Sequence, residues 1–172
     1  QVRLQTVAAG LAVVMLVLGG CKPGGEKGGG TMPPAAQEMA AQKPAASTPE
    51  VQRGYAPVNG LKMYYEIHGT GRPLVLLHGA FMTVEAWGDT LTELAKTRKI
   101  IAVELQGHGR TADIDRPFSF EQFADDVAAF MRHIGVDKAD ILGFSMGGGV
   151  AIQAAISHPG MVDKLVVVSA TY

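Results

Sequence analysis

The stretch that decides the fold is ADILGFSMGGG, residues 139–149. Its first four residues predict a short strand, and a helix rich in Gly and Ala is predicted over Met146–Ser157. Between them, Gly143-Phe144-Ser145-Met146-Gly147 has the G-x-S-x-G spacing of a sharp strand-to-helix turn. Such a turn places the Ser145 hydroxyl at the positive amino end of a helix, so we predict that Ser145 is a nucleophile. The alternative is a glycine-rich turn that only lets the helix pack closely.

Strands and helices alternate on both sides of this turn. The apolar run Leu74–Leu77 predicts a buried parallel strand, and Ser119–Ile134 predicts an amphipathic helix capped by Ser119 and Gln122. This alternation is typical of an α/β protein with a mostly parallel, doubly wound sheet, whose ligands bind at the carboxyl ends of the strands. The other predicted elements are strands at Leu61–Ile67, Lys99–Leu105 and Leu165–Ser169 and a helix at Val84–Lys96.

A second motif, His78-Gly79-Ala80-Phe81, follows the strand Leu74–Leu77. In acyl-transfer enzymes of this architecture, the loop after this strand gives one backbone N–H to the oxyanion hole, and the residue after the nucleophile gives the other. We therefore expect the amides of Ala80 and Met146 to be the donors, with Phe81 as the alternative to Ala80. His78 is expected to hold the loop. Residues that support the motifs without reacting are His78, Gly79, Phe81, Gly143 and Gly147.

Three motifs, LVLLHGAF (74–81), GHGRT (107–111) and GFSMGGG (143–149), together resemble the α/β-hydrolase superfamily in its esterase, haloperoxidase-like and C–C hydrolase branch. The resemblance covers about Val58 to Tyr172. It implies the α/β-hydrolase fold and a serine hydrolase that acts on a carboxylic ester or a related acyl substrate. Lactone hydrolysis, C–C bond hydrolysis and halide-dependent peracid chemistry use the same serine and stay open as reactions. Epoxide hydrolases and haloalkane dehalogenases are disfavoured, because they use an Asp at the position of Ser145. One departure is Glu104, where an Asp is usual, and we interpret it as structural.

The resemblance also implies a triad in the chain order nucleophile, acid, His. We expect the acid, the catalytic His, the C-terminal strands and the lid to lie outside these 172 residues. His68 and His133 are predicted at the opposite edge of the sheet, and His158 is thirteen residues along the helix from Ser145. His78 and His108 lie on the correct side but have backbone-shaping roles. The chain alone is therefore expected to be nearly inactive. The alternatives are a catalytically inactive binding or sensing module and a non-functional truncated product.

The amino-terminal segment predicts export. Residues 1–20 have the short apolar run of a signal peptide, and Leu18-Gly19-Gly20-Cys21 at its boundary resembles a bacterial lipobox. Cys21 is the expected lipid attachment site, and the alternative is a membrane-anchor helix with an incidental Cys. We expect a lipid anchor in a bacterial membrane, with the outer membrane or the periplasmic side favoured. Residues 21–53 predict a disordered tether and 54–172 the hydrolase domain. The first residue is Gln1, so we expect that a few residues precede it.

The composition excludes other classes of partner. A net charge of −1 gives no electrostatic footprint for nucleic acid, and a single Cys excludes an intramolecular disulfide and a Cys-clustered zinc site. No metal or cofactor is implied. The expected partners are a small ester-like substrate and the membrane that holds the lipid on Cys21. The sequence sets no oligomeric state.

Overall fold

The computed structural model describes residues 51–170, which contain one six-stranded sheet. The strands are β1 Gln52–Val58, β2 Leu61–His68, β3 Pro73–Leu77, β4 Lys99–Val103, β5 Ala139–Phe144 and β6 Val162–Val168. The helices are α1 Gly88–Ala95, α2 Phe120–His133 and α3 Met146–Ser157, and a 3-10 turn, Val84–Trp87, precedes α1. The predicted signal peptide, the lipidation site Cys21 and the tether up to residue 50 lie outside the described residues.

The sheet is mostly parallel, with the strand order β1-β2-β4-β3-β5-β6. Strand β3 pairs in parallel with β4 and with β5, and β5 pairs in parallel with β6. Strands β1 and β2 pair antiparallel with each other, and β2 pairs antiparallel with β4. The predicted α/β fold class is therefore confirmed, and β3 and β5 lie side by side with their carboxyl ends at the same edge.

Helices cover both faces of the sheet, as predicted. Alternate residues of β3 enter different cores, with Leu74 and Leu76 on one face and Val75 and Leu77 on the other. The first face packs against α1 and the 3-10 turn. The second packs against α2 and α3, and its largest fully buried side chain is Phe130. A sheet buried on both faces explains why these strands are continuously apolar.

Some predicted boundaries differ from the observed ones. Strand β1 was not predicted, and it begins at Gln52, two residues before the predicted domain boundary at 54. The predicted helix Val84–Lys96 is divided into the 3-10 turn and α1, because Gly88 has a φ of 47° that interrupts regular helix. Strand β4 ends at Val103, two residues before the predicted end at Leu105, although the Glu104 amide still donates to the Tyr64 carbonyl of β2 at 3.0 Å. Among the described residues, no helix is both long and apolar enough to cross a membrane.

The last described strand leaves apolar side chains uncovered. Val166, Val167 and Val168 are 46%, 39% and 40% exposed, whereas the strands in the middle of the sheet are almost fully buried. Within residues 51–170, β6 forms one edge of the sheet. A strand of this kind presents unpaired backbone groups together with apolar side chains.

Candidate functional site

Ser145 lies in a strained turn between β5 and α3. Its backbone has φ 52° and ψ −118°, a conformation that residues other than glycine rarely adopt. The Ser145 amide donates to the carbonyl of Val168 at 2.9 Å, and its carbonyl accepts from the amide of Gly148 at 2.9 Å. These bonds hold the residue in a conformation that costs about 1–3 kcal/mol. The strained strand-to-helix turn predicted from the sequence is therefore present.

The two motif glycines allow backbone segments to approach closely. A Cβ on Gly143 would lie 2.1 Å from the carbonyl oxygen of Gly147, inside the turn itself. A Cβ on Gly147 would lie 2.1 Å from the carbonyl oxygen of Leu77 and 2.5 Å from that of His78. The beginning of α3 is thus pressed against the end of β3. This contact brings the two predicted motifs together at the carboxyl edge of the sheet.

A tight turn over Gly79–Met82 follows β3, closed by a 3.3 Å hydrogen bond from the Met82 amide to the Gly79 carbonyl. We call these four residues the donor turn. Ala80 and Phe81 are its central residues, and Phe81 has a φ of 60° and a fully exposed side chain. Met146 is the first residue of α3, where backbone amides have no acceptor within the helix. The structure therefore places the predicted amide donors on the two segments that Gly147 brings together.

His78 is fully buried and both of its ring nitrogens contact backbone groups. Nδ1 lies 2.8 Å from the Gly79 carbonyl, which can only accept, so Nδ1 carries the proton. Nε2 accepts from the Leu105 amide at 3.1 Å. Burial lowers the pKa of His78, and the neighbouring His108 ring lowers it further, so the ring is neutral. The geometry agrees with the predicted loop-holding role.

The other histidines also have positions that agree with the sequence-based expectations. His68 pairs with Glu66 on β2, near the amino end of β4, and His133 is an exposed residue at the end of α2. His158 contacts Asp125 at 2.7 Å, and His108 Nδ1 donates to the Gln106 carbonyl at 2.8 Å. Among residues 51–170, no imidazole forms a hydrogen bond with the Ser145 hydroxyl.

Glu104 is fully buried where the chain leaves β4. Its carboxylate accepts from the Val84 amide at 3.2 Å and from the Arg110 amide at 2.5 Å, and it also binds the Arg110 guanidinium. Burial alone would raise the pKa of Glu104, but the hydrogen bonds from Arg110 and Val84 outweigh it and lower the pKa. Glu104 is therefore an ionised structural group, as its departure from the usual Asp suggested.

Arg110 is the residue near the site that the sequence did not identify. Its guanidinium binds Glu104, reaches Glu85 at 2.8 and 3.0 Å, and stacks over the Tyr64 ring at 3.9 Å. A Cβ on the preceding Gly109 would lie 2.3 Å from the Glu104 carboxylate, so the glycine makes room for this pair. In the GHGRT motif, Arg110 directly follows Gly109, which has a φ of 54° in the structure.

Comparison with known proteins identifies the family. The family model described as alpha/beta hydrolase fold matches residues 72–172, more than half of the chain. The chain is 34% identical over 116 residues to a soluble epoxide hydrolase from Corynebacterium sp. (strain C12), which covers 67% of this chain and 41% of the relative. It is 32% identical over 124 residues to a 2-hydroxymuconate semialdehyde hydrolase from Pseudomonas sp. (strain CF600), covering 70% of this chain and 44% of the relative.

The solved structures agree with this assignment. A ligand-free epoxide hydrolase superposes with a TM-score of 0.68 at 32% identity, over 70% of this chain and 43% of that one. The chain spans less than half of the length of these relatives. The match includes the G-x-S-x-G turn, the donor turn and the parallel strands that position them. The chain therefore belongs to the alpha/beta hydrolase fold family.

Proposed function

We propose that the protein is a serine hydrolase that acts on a carboxylic ester or a related acyl compound, with Ser145 as the nucleophile. The observation that carries this proposal is the strained Ser145 backbone, with φ 52°, held between β5 and α3. Strain of this kind persists where the surrounding structure enforces it, and it is common at active sites. The glycine contacts around Ser145 are what enforce it here.

In the proposed reaction, the Ser145 oxygen attacks the acyl carbonyl and its proton passes to a general base. The amides of Ala80 and Met146 then stabilise the oxygen that becomes negative, with Phe81 as the alternative to Ala80. Loss of one such donor typically costs about 3–4 kcal/mol of transition-state stabilisation. The leaving group departs with a proton, and water hydrolyses the acyl-enzyme in a second attack of the same kind.

The acid and the base are proposed to come from outside residues 51–170. The support is that four of the described histidines contact another group and that His133 is the exposed last residue of α2. The four are His78, His108, His68 and His158. A serine hydroxyl without a base is a poor nucleophile near neutral pH. We therefore also propose that the 172-residue chain alone has almost no activity.

The names of the relatives support a hydrolase and leave several substrates open. They include a soluble epoxide hydrolase and a 2-hydroxymuconate semialdehyde hydrolase. This chain carries a hydroxyl at position 145 and not a carboxylate, which favours acyl transfer over epoxide opening. Esters, lactones, peracid chemistry and C–C bonds all remain within the proposed class, because each begins with attack by the same serine.

Export and lipid attachment form a separate proposal that rests on the sequence of residues 1–21. We propose that Cys21 is lipidated and holds the domain at a bacterial membrane, on the outer-membrane or periplasmic side. Growth with labelled palmitate should label the intact protein and should not label a Cys21→Ser variant. Equal labelling of both proteins would contradict the proposal.

The experiment that tests the enzymatic proposal is turnover of p-nitrophenyl esters of increasing acyl length by the intact protein. The Ser145→Ala variant should lose turnover by about 10⁴-fold or more, as for nucleophiles of other triads. The matched control is Ser157→Ala, which removes a hydroxyl at the other end of α3. Equal activity of wild type and Ser145→Ala would contradict the proposal. Ligand binding without turnover by the intact protein would favour the inactive binding or sensing module.

A further inference from the structure

The donor turn is attached to the loop that follows β4 at its first residue, Gly79, and through Val84, two residues after its end. On the amino side, His78 joins the Gly79 carbonyl to the Leu105 amide, at 2.8 and 3.1 Å. On the carboxyl side, the amide of Val84 donates to the Glu104 carboxylate at 3.2 Å. The turn carries the proposed oxyanion donors, so whatever fixes its ends also fixes the direction of those amides.

Arg110 connects the carboxyl-side attachment to the surface. Its guanidinium binds the buried Glu104 carboxylate and forms a two-pronged contact with Glu85 at 2.8 and 3.0 Å. Thr83 donates to the same Glu85 carboxylate at 2.6 Å. The segment 83–85, which directly follows the donor turn, thus has two contacts: the Val84 amide with the buried Glu104 carboxylate, and the exposed Glu85 carboxylate with Arg110.

The Arg110 side chain is itself held in one orientation. It lies 3.9 Å over the ring of Tyr64 on β2, and Glu66 lies 4.0 Å from its Nη1. Its side chain is 35% exposed, whereas that of Glu104 is fully buried. A planar guanidinium that serves two carboxylates and one ring at once has no equivalent in lysine or glutamine.

We propose that Arg110, acting through Glu104 and Glu85, is a positioning residue that holds the donor turn in the orientation needed to stabilise the oxyanion at Ser145. The inference rests on the proposed function and names a residue that does not touch the substrate. Arg110 acts on the rate of the chemical step, because a displaced donor weakens a contact that is made mainly in the transition state.

The test compares Arg110→Gln with wild type in the intact protein, using two readouts. Hydrogen exchange at the amides of residues 80–85 should become at least about tenfold faster, because opening of this segment becomes easier. For p-nitrophenyl butyrate, kcat should fall about tenfold, while KM changes less than about twofold. Glu85→Gln is the milder variant, since Glu85 is exposed, and it should move both readouts in the same direction by a smaller factor.

The matched control is Arg98→Gln. Arg98 also pairs with a buried carboxylate, Asp140 at 2.7 Å, but it does so at the amino edge of the sheet, beside Pro73. The Arg98→Gln variant should leave the kcat and the hydrogen exchange of the amides of residues 80–85 unchanged. If Arg98→Gln speeds exchange at residues 80–85 as much as Arg110→Gln does, the effect is a general loosening of the fold and the proposal is overturned.

The outcomes distinguish failure of the Arg110 proposal from failure of the proposed hydrolase function. Unchanged exchange in both Arg110→Gln and Glu85→Gln overturns the attachment of the turn, and faster exchange with an unchanged kcat overturns the positioning role. A wild-type protein that neither hydrolyses the ester nor reacts with a fluorophosphonate overturns the proposed function. In that case faster exchange would still support the attachment, and the catalytic role of Arg110 would fall together with the proposed function.

Discussion

At the scale of single residues, the site depends on two glycines, Gly143 and Gly147, whose positions leave no room for a Cβ atom. Gly143 and Gly147 lie where any Cβ would meet backbone carbonyl oxygens at 2.1 Å. Ser145, between them, takes a positive φ although it has a side chain, as Phe81 in the donor turn also does. The G-x-S-x-G spacing therefore has a steric reason. Glycine at positions 143 and 147 lets the backbone form the tight turn that strains Ser145, and it lets α3 begin beside the end of β3.

Replacing Gly147 by Ala should destabilise the protein by about 3 kcal/mol, because the new methyl group would overlap the carbonyls of Leu77 and His78. Helix propensity alone predicts the opposite sign, a gain of up to about 1 kcal/mol. The free energy of unfolding of Gly147→Ala, measured by urea denaturation, shows which of these two effects is larger. Gly160→Ala is the control, since a Cβ there meets nothing within 4 Å, and its effect should stay within about 1 kcal/mol. Equal stability of the two variants would contradict the close approach of α3 to β3.

Glu104 should make stability depend on pH in the acid range. Its pKa lies below the ordinary value of 4.5, so the folded state favours the carboxylate. This contribution is complete above about pH 4.5 and is lost as the pH falls toward the lowered pKa. Glu104→Gln should destabilise the protein by about 2–3 kcal/mol at pH 7, because Arg110 loses its buried partner.

The difference between Glu104→Gln and wild type should shrink as the pH falls below 4.5, because Glu104 is then protonated first in the unfolded chain. The difference should be smallest once the pH has passed the lowered pKa of Glu104 in the folded state. Urea midpoints measured from pH 7 to pH 3 check this. A difference that stays constant across the range would mean that Glu104 is not ionised in the folded state. Glu93→Gln is the control, because the Glu93 side chain is 65% exposed, and it should change the stability at pH 7 by less than about 1 kcal/mol.

At the scale of elements, helices α2 and α3 both follow a serine, but the two serines differ in whether the side chain caps the helix. Ser119 accepts a hydrogen bond from the Gln122 amide at 3.1 Å and starts α2 at the predicted position. Helix α3 begins without such a side-chain cap, because Ser145 has a φ of 52° and not the extended backbone with which Ser119 caps α2. The absence of a cap at Ser145 and its presence at Ser119 agree with different roles for two serines at equivalent helix positions.

Ser119→Ala should destabilise the protein by about 1 kcal/mol through loss of the cap, whereas Ser119→Asp should be nearly neutral. Thermal denaturation of the three proteins checks this. Ser145→Ala should not be destabilising in the same way, because its side chain caps nothing. If Ser119→Ala and Ser119→Asp lower the midpoint equally, the side-chain cap contributes nothing to α2.

The sequence predicted those parts of the site that are local in the chain. The strand, the turn and the helix around Ser145 follow from adjacent residues, and so does the α2 cap. Strand β1 was missed because it contains Gly54 and Pro57, and its pairing with β2 decides its structure. The role of Arg110 was missed because its partner Glu85 lies 25 residues away, and no local pattern reports such a contact.

At the scale of the whole molecule, helices pack on both faces of the described sheet, and its edge strand β6 leaves apolar side chains exposed. The exposed valines belong to β6, whose Val168 carbonyl accepts a hydrogen bond from the Ser145 amide, so the edge and the site share a structural element. An apolar edge strand is a template for pairing with a second chain. The stability of the site and the tendency to associate therefore depend on the same strand.

The 172-residue chain should self-associate through β6 as its concentration rises. Val166→Lys places a charge on the edge and should reduce the association measured by light scattering. Ile156→Lys is the control, because Ile156 is 58% exposed but lies on α3 and not on a sheet edge. An equal reduction by both variants would indicate a general effect of charge, not pairing at β6.

The central claim is that the strained turn presents Ser145 as the nucleophile, and fluorophosphonate labelling of the intact protein tests it most directly. Digestion and mass spectrometry then locate the modified residue among the serines. We predict one phosphonyl group, found on the peptide that contains Ser145, and no labelling of Ser145→Ala. Labelling at another serine, or equal labelling of the Ser145→Ala variant, would contradict the claim.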